Sequence, residues 1–156
     1  MENKINQKIT PFLWFDGKAE EAMNFYVSIF KDSKIVTVSQ IGEGGTVMTG
    51  IFEIEGQQFM VINGGPMFSF TPAISLFVSC ETQEEVDDLW ERLSAGGEKS
   101  RCGWLKDKYG LSWQIIPTAL GRLMHVPDPE KSKRVMDAML KMTKIDIALL
   151  EEAYWQ

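Results

Sequence analysis

Apolar and β-branched residues fall along this chain in short blocks, and the blocks repeat in one order. "KITPFLWF" (8–15) is aromatic and β-branched, which predicts a strand. "DGKAEEAMNFYVSIF" (16–30) follows, with Ala19, Ala22, Met23, Tyr26 and Phe30 at helical spacing and Asp16 placed to cap it. "KIVTVSQI" (34–41), "TVMTGIFEI" (46–54) and "QQFMVIN" (57–63) are separated by glycine and polar turns, the pattern of an antiparallel meander.

The order then starts again. "AISLFVSC" (73–80) predicts a strand, and "TQEEVDDLWERLSAGG" (82–97) a helix with Thr82 and Glu85 at capping-box spacing and a glycine pair at its end. Residues 98–108 and 111–117 supply further strand. An offset of 63 lays Leu13-Trp14-Phe15 on Leu76-Phe77-Val78, and an offset of 64 lays Phe25-Tyr26 on Leu89-Trp90. Gly56 and Gly110 both precede the closing strands, which sets Met60 beside Gln114. Three matches in the same order predict an internal duplication. Beyond Pro117 the spacing predicts two helices: 128–142, with Asp128 as cap and Pro129 in the first turn, and 143–155, opening with Thr143 and Asp146.

Composition narrows the function classes. With 44% hydrophobic and 24% charged residues this is the composition of a folded globular protein. A net charge of -6 would repel a phosphate backbone, so nucleic acid is not an expected partner. "MENKINQKIT" lacks the apolar core of a signal peptide and no apolar run reaches a membrane span. Cys80 and Cys102 stand far apart in the sequence and read as reduced thiols, which predicts a cytoplasmic protein. The single histidine, His125, lies in the Pro-flanked "LMHVPDP" and reads as a surface residue.

Gln114, inside the strand "LSWQIIP", is the polar residue that needs an explanation, because a buried amide without partners is costly. "FDGKAEEAMNFY" early, "CGWLKDKYGLSWQIIP" late and the tail "AMLKMTKIDIALLEEAY" together resemble the PhnB-like branch of the glyoxalase/bleomycin-resistance (vicinal oxygen chelate) superfamily. Chains of this branch are often labelled 3-demethylubiquinone-9 3-methyltransferase-like. The resemblance implies an α+β fold: two βαβββ modules, about 8–63 and 73–117, whose mixed sheets form a cup, followed by a helical extension over 118–156. It also implies one domain spanning 1–156 and a homodimer.

In metal-using members of the superfamily four His or Glu ligands come from the first and last strands of the modules. Those positions fall on Thr10, Met60, Ala73 and Gln114, so Gln114 stands where the metal enzymes keep a glutamate. None of the four carries an anion, whereas Zn²⁺ and the harder cations draw on imidazole, thiolate or carboxylate. No metal and no cofactor is therefore expected.

Three functions compete. One is a binding module for an unidentified small molecule, its cup walled by Phe12, Trp14, Phe77 and Trp104 with Ser75, Ser79 and Gln114 as orienting polar groups. Thr10 and Met60 join that lining, and Trp14 and Phe77, at matching strand positions, are placed to sandwich a flat ligand. Another is a metal-independent enzyme using Lys106, Asp107, Tyr109 or Glu53, although "GEGG" (42–45) and "NGGP" (63–66) lie between strands and give no methyl-donor motif. The last is an interaction protein working through its Met-rich C-terminal helices.

Overall fold

The computed structural model describes residues 7–45 and 47–156, without the side chain of Val47. Residues 1–6 of the polar start and Thr46, the expected first residue of the third strand, lie outside the described residues. The chain divides into two compact units, Met1–Ser69 and Phe70–Gln156. No helix among the described residues is long and apolar enough to cross a membrane.

The first unit runs β1 (Phe12–Phe15), α1 (Ala19–Ile29), β2 (Ser33–Ile41), β3 (Val47–Ile54) and β4 (Gln57–Asn63). Its sheet order is β1-β4-β3-β2, with β1 parallel to β4 and the other pairs antiparallel. Alternation sorts the faces: Leu13 and Phe15 are buried while Phe12 between strand and solvent is 51% exposed. Tyr26 of α1 stacks on Phe52, which stacks on Phe59, with centroids 5.7 and 5.2 Å apart. Gly50 lets the helix come close, since a Cβ there would stand 2.7 Å from the Met23 methyl. The β3–β4 hairpin turns on Glu55 and Gly56, both at positive φ, the two-residue turn that suits the twist of an antiparallel pair.

Asp16 does not cap α1. The helix starts at Ala19 after Gly17, whose φ of +71° turns the chain away, and the Lys18 side chain makes no capping bond. Instead the Asn63 carboxamide oxygen, at the end of β4, accepts from the Ala19 N–H at 2.8 Å. A long-range partner thus replaces the local one.

The second unit repeats the scheme: β5 (Ser75–Cys80), α2 (Gln83–Ser94), β6 (Glu98–Lys99), β7 (Trp104–Lys106) and β8 (Ser112–Pro117), in the order β5-β8-β7-β6. Thr82 caps α2 by accepting from the Glu85 N–H, and the Glu85 carboxylate accepts from the Glu81 N–H. The further strand expected over 98–108 comes as two short pieces, because Cys102 and Gly103 both take positive φ and form a turn. Both cysteines are free thiols.

Three helices, not two, follow β8: α3 (Thr118–Met124), α4 (Pro129–Met139) and α5 (Ile147–Trp155). The first, unforeseen, is seven residues long and buries Ala119, Leu120 and Leu123, too few positions to show a period. Asp128 caps α4 as expected, by accepting from Glu130 and Lys131 N–H groups. Asp146 rather than Thr143 caps α5, because the preceding residues are used elsewhere. The Met142 and Thr143 carbonyls accept from Cys102 and Gly103, and Ile145 is fully buried with Ile116, Leu120, Leu123, Val135 and Leu150.

The extension is tied to α2 by polar contacts. The Gln83 side chain donates to the Ile145 carbonyl and accepts from the Ile147 N–H, and Lys144 pairs with Asp87 at 2.9 Å. The Gln83 and Lys144 hydrogen bonds hold the Asp87 carboxyl below its ordinary range, and the Asp87 bond raises Lys144. A lowered carboxyl stabilises the fold above its unfolded pKa and loses that contribution as acid protonates it. A raised amine stabilises below its unfolded pKa and loses its contribution in strong base. Both side chains are more than a third exposed, so the pair is worth no more than about 1 kcal/mol. We expect Asp87→Asn to lower stability by no more than that amount, uniformly from about pH 5 to 9, with the difference fading in acid below the ordinary carboxylate range as Asp87 takes up its proton. Denaturant melts at three pH values read the difference.

Candidate functional site

The parallel pairing of each module's first and last strands brings the sequence-predicted residues into rows. In the second unit Phe77 on β5 is level with Gln114 on β8, and Gln114 is level with Trp104 on β7. Residues level with one another point to the same face, so Phe77, Gln114 and Trp104 form one row across three strands. Ser75, Ser79 and Lys106, each two residues along its strand, lie on that face too. The opposite face carries Leu105, Trp113 and Ile115, all buried, and belongs to the α2 core. The side on which Trp104 and Lys106 lie is thereby fixed as that of Gln114.

Gln114 is held in place within the row. Its Nε2 donates to the Ser75 hydroxyl at 3.0 Å, and among the described residues its Oε1 accepts nothing. The amide keeps a second N–H, the oxygen and the Ser75 proton for another partner. Phe77 is 59% exposed, Trp104 is half-buried, and neither packs on another ring of its own unit. Beyond Gln114 on the same face, Ile116 is buried in the core of the C-terminal helices, while Ser79, level with it on β5, is exposed. Ala73 lies outside this arrangement, exposed and two residues ahead of β5.

In the first unit Phe12 is level with Met60 and Trp14 with Ile62. Thr10 precedes β1 by two residues and is half-buried. The 63-residue offset lays Trp14 on Phe77, and Trp14 is level with Ile62 as Phe77 is with Gln114, so Ile62 holds the place of Gln114 in the first module; the glycine anchors that chose Met60 differ from this by two residues on the same face. Trp14 is already engaged: its indole N–H donates to the Gly65 carbonyl at 2.9 Å, and its ring meets Phe68 edge-on at 5.0 Å. Its ring also lies where a Cβ on Gly64 would be. Trp14 therefore fastens the segment after β4, and of these two tryptophans Trp104 is the one left open.

The acid–base candidates separate in the same way. Asp107 is 2% exposed, and its carboxylate accepts from the N–H groups of Tyr109 and Leu111 and from the Trp113 indole. It is the clamp of the β7–β8 turn. The Tyr109 ring lies beneath Lys108 in that turn. Glu53 is half-buried on the open face of the first sheet, level with Lys34 and Gln58. Among the described residues no three His, Cys, Asp or Glu side chains gather as a metal site. Neither glycine-rich turn leads from a strand into an α-helix: Glu43–Gly45 is a single 3₁₀ turn before β3, and Gly64-Gly65 follows β4. A cavity of about 490 Å³ opens between α4 and α5, lined by Arg134, Asp137, Lys141 and Glu152 among others, and includes none of the predicted site residues.

The fold is shared with solved structures. The PhnB protein from Bacillus cereus is 46% identical, with a TM-score of 0.66 over 71% of this chain and 99% of that one. The fosfomycin resistance protein FosX from Listeria monocytogenes, complexed with Mn(II) and sulfate, is 19% identical, with a TM-score of 0.54 over 70% of this chain and 89% of that one. A glyoxylase/bleomycin resistance protein/dioxygenase domain from Frankia is 16% identical, with a TM-score of 0.50 over 71% and 91%. The fold is that of the glyoxalase/bleomycin-resistance proteins. Residues 7–116 match the family described as 3-demethylubiquinone-9 3-methyltransferase, and the chain belongs to that family. No curated protein matches it. The match stops before Pro117, so the tail that resembles the same branch, with α3, α4 and α5, lies beyond it.

Asp107 provides the test of these assignments. Asp107→Asn turns one accepting oxygen into a donor facing N–H groups, and should cost about 1–3 kcal/mol of stability. Chemical denaturation checks this; a variant as stable as the parent would mean that Asp107 is not the clamp described.

Proposed function

We propose that this chain is a small-molecule-binding protein that works without a metal, its ligand lying on the open face of the second sheet. What supports the reading is the row Phe77–Gln114–Trp104, two unstacked rings flanking an amide fixed by Ser75 and left with free donor and acceptor. Binding sites are typically apolar walls with a few placed polar groups, and this row has that make-up. Phe12, Met60 and Thr10 offer a plainer, apolar counterpart on the first sheet.

The metal-free part rests on the donor set. Ser75, Gln114, Thr10 and Met60 supply no anion, and neutral oxygens alone do not offset the hydration of a divalent cation. Methyl transfer, which the family's description names, is no part of the proposal, since neither of the glycine-rich turns at 42–45 and 63–66 leads from a strand into an α-helix, where a nucleotide-like methyl donor is commonly held.

The experiment is native mass spectrometry of the freshly purified protein, followed by binding of the molecule found. Gln114→Leu should weaken that binding by about 1–3 kcal/mol while leaving the melting temperature in place. Leu13→Ala, in the core of the other unit, should lower stability by about 2–5 kcal/mol and spare the binding site. EDTA should change neither quantity. A bound metal whose removal abolished ligand binding would contradict the reading.

The protein is further proposed to be a homodimer. Met136, Leu140, Leu149 and Trp155 leave apolar surface exposed on α4 and α5, and β2 and β6 are open sheet edges in their units. Light scattering should read twice the 17.7 kDa subunit at micromolar concentration; the subunit mass itself would refute it.

A further inference from the structure

The row on the second sheet has dimensions as well as chemistry, and these narrow the ligand. β5 and β7 both flank β8, so Phe77 and Trp104 rise from backbones about 9.5 Å apart. Stacking a flat ring against both takes roughly 7 Å, and two stacked rings between them would need over 10 Å. The gap therefore fits one aromatic thickness standing edge-down on Gln114. Such a ring presents its edge to an amide that holds an acceptor and a donor side by side, as a glutamine reads a purine edge.

The plane of that ring runs along the strands, and its two ends differ. Toward Ile116 the face at β8 is closed by the C-terminal core, although Ser79, level with it on β5, is exposed. Toward Ser112 the next row lies roughly 6.6 Å away. Lys106 is level with Ser112 there, half-buried, and forms no ion pair among the described residues. Glu98, level with Lys106 on β6, is exposed and does not close on it. Ser112 is itself buried there, so Lys106 holds the surface of that end, and an ammonium with no ion pair among the described residues is placed to meet a negative group.

The geometry points to a ligand class: a single planar heterocycle with an amide-like edge, C=O beside N–H, and an anionic substituent on its far side. Gln114 reads the edge, Phe77 and Trp104 hold the faces, and Lys106 binds the anion. This inference rests on the small-molecule reading of the same face.

Three probes separate the parts in calorimetric titrations of the protein. Orotate has the flat ring, the amide edge and a carboxylate; uracil lacks the carboxylate; benzoate lacks the amide edge. Orotate should bind at least about tenfold more tightly than either. Lys106→Met should bring orotate down to the level of uracil, and Lys106→Arg should keep it. Gln114→Leu should weaken orotate and uracil and leave benzoate unchanged. Thermal melts of each variant confirm that the fold is intact.

Benzoate binding as tightly as orotate would overturn the edge reading. An unchanged orotate-to-uracil ratio in well-folded Lys106→Met would overturn the role of the anion. Should none of the probes bind while Gln114→Leu still loses the co-purifying molecule, the ligand class falls and the site stands. If Gln114→Leu holds that molecule as the parent does, both fall.

Discussion

The parallel pairing of the first strand of each module with its last is the constraint on which the rest depends. A parallel pair cannot be joined by a hairpin, so the intervening chain must leave the sheet and return, which it does as one helix and two strands. The helix buries one face of the sheet, and the other face is left open. In the second unit the pairing sets Phe77 against Gln114 from positions 37 residues apart, and the antiparallel return of β7 adds Trp104. The site is a by-product of the topology, and register alone decides which side chains share it.

The same scheme carries different chemistry in the two units. On the first sheet the open face pairs Phe12 with Met60, and its tryptophan is spent on fastening the chain after β4. On the second, Gln114 is braced by Ser75, the Trp104 indole stays open, and the C-terminal helices cover Ile116 at one end of the row. Those helices lie outside the matched family region yet reach back to the turn before Trp104 through the Met142 and Thr143 carbonyls. Gly103 in that turn has no room for a side chain, since a Cβ would come within 2.7 Å of Ile116. The extension thus sets the position of the strand that carries Trp104.

Much of the architecture was legible in the sequence because its signals are periodic and local. The alternation of Leu13 and Phe15 against Phe12 and Trp14 sorted the faces correctly, and Thr82 with Glu85 marked the start of α2. What was hidden depends on residues distant in sequence. Asn63 displaces Asp16 at the start of α1, and the 142–145 segment is drawn off to Cys102 and Gly103, so α5 begins late. Helix α3 is too short to show a period. For the site, Gln114 stood out as a polar residue in an apolar strand, and Phe77 and Ser75 were within reach of alternation. The side taken by Trp104 and Lys106 was not, because β7 is three residues long and follows an unforeseen turn. The separation of Trp14 from Trp104, one engaged and one open, rests on Gly65 and Phe68, some fifty residues from Trp14 in sequence.

The central claim is that the open face of the second sheet is where this protein binds its ligand. Side-chain NMR of the amide of Gln114 and the indole of Trp104, during titration with the co-purified molecule, tests it most directly. The account predicts that both signals move together and saturate at one ligand per subunit, while the indole of Trp113 on the opposite face stays in place. Movement confined to residues around the α4–α5 cavity, with Gln114 and Trp104 unmoved, would contradict it.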